Sequence, residues 1–239
     1  MSKLEISKVH DAYGDAGECP LCTLREWAEA TYLHSFQHSR VMEPNVRVQT
    51  NAVGFCPDHY GKLYRGENKL GLGLVVHTHL QQKLPEIRAA LERCAAPGTG
   101  RKALERMAEA ADSLSALRDR CFICEMLRTD NERYVFTILY LWSKDPEFPD
   151  RFRASRGFCM GHFLDALRAA PKLLRGDRAQ RWITEAVSLQ TSAFERLEQD
   201  LLAFTQLYRS ENASMGSEAE RTALGRTLQK LAGGRFRLE

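Results

Sequence analysis

The chain has 239 residues, with 34 Lys+Arg against 31 Asp+Glu and a formal net charge of +3. At 44% hydrophobic and 27% charged it has the composition of a folded globular protein, and its near-balanced charge gives no electrostatic reason to expect nucleic acid or an anionic membrane. Seven cysteines, an odd number, argue against a disulfide framework and for thiols held reduced or on metal.

The N-terminal stretch MSKLEISKVHDAYGDAG mixes charged and apolar residues and has no uninterrupted apolar core, so it is not expected to act as a signal peptide. The longest apolar run, Leu70 to Val76, is seven residues including two glycines, far short of a membrane span. A soluble, cytoplasmic protein is the expectation.

Six of the seven cysteines fall into two copies of one pattern. Cys19-Pro-Leu-Cys22 is followed by Gly54-Phe55-Cys56-Pro-Asp-His59, and Cys121-Phe-Ile-Cys124 by Gly157-Phe158-Cys159-Met-Gly-His162. The half-motifs are separated by 33 residues (23–55) in the first copy and 34 (125–158) in the second, giving offsets of 102 and 103 between copies. Neighbours keep that register: Leu21 with Ile123, Leu24 with Met126, Tyr32 with Tyr134, Phe36 with Ile138 and Tyr60 with Phe163. The pattern reads as a duplication. Cys94-Ala-Ala-Pro97-Gly98-Thr-Gly100 reads as the linker, placing repeat one at 1–96, repeat two at 97–209 and a tail at 210–239 with a short helix around Glu218–Leu231. The tail's Gly233-Gly234-Arg-Phe-Arg end is expected to fray.

Periodicity throughout is helical. Leu80, Leu84, Ile87, Leu91 and Cys94 recur at steps of four, three, four and three, with Pro85 predicting a kink or a restart. Leu104, Met107, Ala111, Leu114 and Leu117 form a similar stripe, and a broad apolar face runs from Trp182 to Tyr208. No stretch alternates as a strand would. The predicted fold is all-α, a duplicated helical bundle with pseudo-twofold symmetry and two metal-binding knuckles.

Residues three apart in the first turn of a helix share a face, so CxxC presents two sulfurs to one point and CxxH a sulfur and an imidazole. Helix N-termini also favour thiolates. Two such turns make a Cys3His set suited to tetrahedral zinc. The candidate metal ligands are therefore Cys19, Cys22, Cys56, His59, Cys121, Cys124, Cys159 and His162. The gap between half-motifs predicts an outgoing helix at about 23–41, a loop carrying Pro44 or Pro149, and a return. A swapped pairing, CxxC of one repeat with CxxH of the other, needs closely intertwined halves. The Gly-Phe before each CxxH is expected to supply a tight bend and an apolar plug.

Three cysteines and a histidine fill a tetrahedron and leave no position for an activated water, which favours a structural ion over a catalytic one. The same donors suit an iron–sulfur cluster, the alternative cofactor, in a redox or cluster-carrying protein. A metal-dependent enzyme requires a site that sheds one ligand, and no catalytic constellation is recognisable in the sequence.

Other features have plainer readings. His34 and His38 lie on one helical face but correspond to Phe136 and Tyr140 in the second copy, so they read as surface or packing residues. His77 and His79 diverge on a helix, and nothing fixes Glu26, Glu29 and His34 into a further metal centre. Gly71-Leu-Gly73 lacks the third glycine and preceding strand of a dinucleotide loop; its missing Cβ atoms are expected to admit another helix. Cys94 reads as a small buried residue, and Arg151, Arg153 and Arg156, opposite Arg47 of the first copy, as solvated surface.

With CPLC…GFCPDH, CFIC…GFCMGH and the intervening GLGLVVHTHL, roughly residues 6–205, the sequence resembles a bacterial family of unknown function seen mainly in anaerobes. The resemblance implies a bacterial cytoplasmic protein and transfers no activity. The reading that results is a helical protein with two zinc ions per chain, acting as a binding or adaptor module for a protein partner, with neither membrane nor nucleic acid expected.

Overall fold

A computed structural model describes residues 5–15, 17–207 and 216–234. These residues are helical, with no strand among them. In chain order the helices are α1 (Ile6–Tyr13), α2 (Pro20–Gln37), a 3-10 turn (Arg40–Met42), α3 (Pro44–Val53), α4 (Pro57–Arg65), α5 (Lys69–Ala95), α6 (Arg101–Arg118), α7 (Phe122–Lys144), α8 (Phe148–Ala154), α9 (Met160–Leu173), α10 (Asp177–Leu207) and α11 (Glu218–Ala232). None of them is long and apolar enough to cross a membrane.

The local signals act as their chemistry dictates, with two exceptions. Pro44 and Pro149 were expected in loops but sit in the first turns of α3 and α8. A proline there loses no hydrogen bond, because the first amides of a helix have no intrahelical partner, and its ring presets φ. Pro85 neither restarts nor ends α5, which runs through it. Asn68 caps α5, its Oδ1 accepting from the Gly71 amide at 2.7 Å, and α11 opens on a capping box between Ser217 and Glu220.

The chain divides into two compact units. Unit 1 is Met1–Trp27 with Thr129–Glu239, and unit 2 is Ala28–Arg128. In unit 1, Leu21, Leu24, Ile138, Leu139, Phe148, Phe152, Phe158 and Trp182 form the core together with Cys19, Cys22 and Cys159. Phe152 lies 6.1 Å from Phe158 and 5.9 Å from Trp182, ring centre to ring centre, and α9, α10 and α11 pack on one another. In unit 2, the Phe36 ring meets Phe55 and Phe122 edge-on at 5.4 and 5.7 Å. Val41, Val46, Val53, Leu63, Val75, Ile123 and Leu127 complete that core around Cys121.

The apolar stripes of α5 and α6 are only partly covered: Leu84, Ile87, Leu114 and Leu117 are half-buried, while Leu80, Leu91, Leu104 and Met107 are 51, 53, 67 and 45% exposed. The buried positions of these two helices include Ala90, Ala103 and Ala110. Cys94, expected to be buried, is half-buried. Gly71 and Gly73 admit no second helix; a Cβ at Gly71 would strike the capping Asn68 side chain, and one at Gly73 would meet nothing within 4 Å. The apolar face of α10 does turn inward, through Trp182, Ala186, Ala193 and Leu197. Tyr208, its predicted end, and the C-terminal Arg-Phe-Arg lie outside the described residues.

Candidate metal centres

Each half-motif straddles the start of a helix. Cys56 and Cys159 are the N-cap residues of α4 and α9, and Cys19 and Cys121 immediately precede α2 and α7. The second donor of each motif therefore stands in the third helical position, facing the same way as the first. The free amides of that turn reach the sulfur: the Cys124 N–H lies 3.5 Å from Cys121 Sγ.

The preceding glycines make the turn. Gly54 has φ +66° and ψ −153°, a conformation essentially reserved for glycine, and Gly157 has φ +72°. The Gly54 carbonyl accepts from the Phe122 amide at 2.9 Å, so the bend also ties the GFC loop to the first turn of α7. Phe55 and Phe158 are 4 and 1% exposed, the apolar plugs expected. In unit 1 the Gln190 side chain clamps the plug's backbone, donating to Phe158 O at 2.8 Å and accepting from Phe158 N at 3.1 Å. A Cβ on Gly54 would sit 2.7 Å from His79 Nε2. Gly54→Ala is therefore expected to cost about 1–3 kcal/mol, measured as a lowered urea midpoint at unchanged slope.

The half-motifs meet across the two sequence copies. Cys19 and Cys22 of the first come together with Cys159 and His162 of the second, and Cys121 and Cys124 with Cys56 and His59. The first set lies wholly in unit 1 and the second wholly in unit 2. The division into repeats suggested that each copy closes its own set, and helix lengths show why it does not. α2 has 18 residues, about 27 Å, whereas α3 has ten, about 15 Å. α7 has 23 residues, about 35 Å, and α8 only seven, about 10 Å. The returning helix is too short to carry CxxH back to the turn that holds its own CxxC.

In the unit 2 set, His59 Nδ1 lies 3.2, 3.3 and 3.4 Å from the sulfurs of Cys56, Cys121 and Cys124. Cys56 and Cys124 Sγ are 3.9 Å apart. In the unit 1 set, His162 Nδ1 is 3.5, 3.5 and 3.2 Å from Cys19, Cys22 and Cys159, and the Cys22 and Cys159 sulfurs are 3.6 Å apart. A tetrahedral zinc with bonds of about 2.3 Å to sulfur and 2.0–2.1 Å to nitrogen holds its sulfurs about 3.7 Å apart and its nitrogen about 3.5 Å from each. Both donor sets fit one such ion.

Around these donors stand groups that sequence reasoning missed. His59 Nε2 is 2.9 Å from the Glu29 carboxylate, which Lys62 also grips at 3.0 Å. A carboxylate on the outer nitrogen fixes the ring and strengthens the inner nitrogen as a donor. Beside the unit 1 set, Glu18 is completely buried and takes contacts from Arg196 at 2.6 Å, Arg156 and Arg226 at 3.4 Å, and Lys230 at 4.0 Å. Lys230, also completely buried, donates to the Glu18 carbonyl at 3.1 Å and to Arg156 O. Beyond it, a Cβ on Gly233 would lie 3.4 Å from Cys159 Sγ and 4.0 Å from Cys22 Sγ, so the end of α11 closes over the sulfurs.

Proton affinities follow this packing. Burial opposes a charge on His59, but Cys121 and Glu29 outweigh it and push the imidazole up to about 10. Contact with His59 holds Glu29 down to about 2 against burial. Cys121 falls to about 6 despite burial, through His59 and the backbone amides of Cys124 and Cys56, while burial and the neighbouring Cys121 push Cys124 up to about 12. In unit 1, burial raises Cys19; Cys159 is strongly lowered by hydrogen bonds from Cys19 and Cys22. His162 rises to about 9 as Cys159 and Cys22 outweigh its burial.

Between about pH 6 and pH 10 His59 and Cys124 of the metal-free unit 2 set each carry a proton that a metal ion must expel. Protons favour the metal-free state, so apparent affinity falls as pH falls, by at least about two decades per pH unit in that window. Competition titrations with a zinc chelator at several pH values measure this slope.

The remaining candidates are structural. His34 and His38 stack at 4.1 Å, and His79 Nδ1 is 2.8 Å from Asn51 O. Arg153 pairs with Asp150 and Glu185, Arg151 lies against His10, and Arg47 donates to Thr78 Oγ1 at 2.9 Å.

An all-helical chain carrying two Cys3His clusters at helix N-termini defines the class: a helical protein with two sites that could hold metal. The chain belongs to the family of unknown function DUF6062, whose model matches residues 1–237. That match runs through α11, beyond the 6–205 span of the motif resemblance. Comparison with curated proteins and with solved structures finds no match.

Proposed function

We propose that each Cys3His set binds one structural zinc ion, and that the two ions hold together a helical module that binds a protein partner. The observation that carries the zinc reading is the donor geometry: four donors gathered at single-ion distances, with sulfurs 3.6 and 3.9 Å apart. A cluster spreads its four protein ligands over two or more irons, whereas here all four donor atoms lie within 4.8 Å of one another. Four protein donors complete a tetrahedron, the arrangement of structural rather than hydrolytic zinc. The partner reading is supported by the exposed apolar side chains of α5 and α6, Leu80, Leu91, Leu104 and Met107. The order of elements supports a duplication: α2, α3, α4 and α5 in the first copy are matched by α7, α8, α9 and α10 in the second.

The test is metal content of purified protein and its single-cysteine variants. The wild type is expected to carry close to two zinc per chain. Cys56→Ser and Cys121→Ser, in different copies, are each expected to lose the same ion, and the double variant to lose no more than either alone. Cys19→Ser and Cys159→Ser are expected to lose the other. Substoichiometric metal with undiminished stability would overturn the zinc reading; loss grouped by copy, Cys56 with Cys19, would overturn the assignment of ligands.

A further inference from the structure

The two sites are built from the same donor types but leave different donor residues partly exposed. In unit 1 the three cysteines are 0, 3 and 2% exposed, and the partly exposed donor is His162. In unit 2 the relation is reversed: His59 and Cys121 are 1 and 4% exposed, and the partly exposed donors are Cys56 and Cys124. The unit 1 sulfurs are further covered by Gly233, and the helix that carries it is anchored by the buried Lys230.

We propose that Cys56 and Cys124 are the oxidant-reactive pair of this protein, converted by a hydroperoxide to a disulfide that releases zinc from the unit 2 site while the unit 1 site keeps its ion. This rests on the zinc reading above. Thiolates remain nucleophilic on zinc, and a set of three thiolates on Zn2+ carries a net negative charge that a partly exposed cysteine keeps available. The first exposed thiolate attacks the terminal peroxide oxygen; the O–O bond breaks, the alcohol or water leaves with a proton, and a sulfenic acid forms. The second attacks that sulfur, forms the S–S bond and expels hydroxide, which a second proton converts to water. Two electrons pass from sulfur to the peroxide, two protons are consumed, and zinc departs from the two donors that remain, Cys121 and His59.

The Cys56 and Cys124 sulfurs are 3.9 Å apart, so closing a bond of about 2.05 Å takes less than 2 Å of motion. The buried Cys121 is shielded from the first step, which directs the disulfide to Cys56 and Cys124 rather than to the two cysteines of the CxxC. An imidazole in the exposed position of the unit 1 site offers a peroxide no sulfur to attack.

The experiment uses the full zinc-loaded chain carrying Cys94→Ser, which removes the one thiol outside the two sets. Hydrogen peroxide is added in a few-fold excess, and zinc release is followed with a metallochromic indicator. One zinc per chain is expected to leave at least about tenfold faster than the other, given the difference in sulfur access. Alkylation and peptide mapping at that stage are expected to find the Cys56–Cys124 disulfide, with Cys19, Cys22 and Cys159 still reduced, and dithiothreitol is expected to restore uptake of one zinc. Equal release of both ions, first oxidation in the unit 1 set, or a Cys121–Cys124 disulfide would overturn the proposal while leaving the zinc reading intact. A chain that takes up no zinc overturns both.

Discussion

Stripping zinc with a strong chelator is expected to unfold the protein rather than loosen it. The donors do not sit on a surface loop: Cys19, Cys22 and Cys159 belong to the core of unit 1, and Cys121 to that of unit 2. Each site joins the N-termini of two helices, α2 with α9 and α4 with α7, so losing the ion releases both helix starts together. What remains is a cluster of thiols and an imidazole that must carry protons inside an apolar core. Structural zinc contributes on the order of 10–16 kcal/mol per site, comparable with the ~5–15 kcal/mol that holds a whole domain folded. Far-ultraviolet circular dichroism should show most of the helical signal lost at 25 °C after chelation and recovered when zinc is returned. A melting curve unchanged by complete zinc removal would sink this account.

The largest effect of a residue that binds no metal is expected at Glu18. Glu18→Gln keeps the shape and removes the negative charge that Arg156, Arg196, Arg226 and Lys230 share. Arg156 and Arg196 are 43 and 36% exposed and recover hydration, and Arg226 retains Asp200 at 2.9 Å. Lys230 has neither escape: it is completely buried and keeps only two carbonyl acceptors and the more distant attraction of Cys19 and Cys159. Removing one partner of a buried ionic cluster costs about 3–5 kcal/mol, a fall in Tm on the order of 10 °C for a chain of this size. Zinc content should stay at the wild-type value, because Glu18 is not a donor. Adding Lys230→Met to Glu18→Gln should restore part of the loss, since the stranded charge goes with it. A double variant as unstable as the sum of the two single changes would show that Lys230 and Glu18 are not coupled.

The groups that set apart the two sites were the least legible in the sequence. Glu18 precedes a cysteine motif, but its counterpart in the second copy is Arg120, an exposed residue paired with Glu125. No periodicity marks Lys230, which reaches Glu18 across 212 positions. Glu29 and Lys62 flank His59 from separate helices, while the same register in the second copy holds Asn131 and Asp165, themselves 3.0 Å apart. Helical periodicity was legible in α10, whose apolar face turns inward through Trp182, Ala186, Ala193 and Leu197. It identified α5 and α6 as helices but not how far their stripes are covered, since Leu84, Ile87, Leu114 and Leu117 are half-buried while Leu80, Leu91, Leu104 and Met107 are exposed. The prolines misled for a local reason, since a loop and the first turn of a helix accept them equally well.

The sequence by itself determined the all-helical class, the eight candidate donors and their grouping in twos, because residues three apart at a helix start face one point whatever the rest of the chain does. It also carried the bends, in Gly54 and Gly157, both at positive φ, and the plugs, in the two phenylalanines beside them. Only the tertiary structure decided which pair meets which, and which donor faces solvent. Those outcomes depend on the lengths of helices that lead away and return, and on a tail helix more than 50 residues beyond the last motif that closes over one set of sulfurs. Spacing along a chain encodes the first kind of proximity; only packing between distant segments can produce the second.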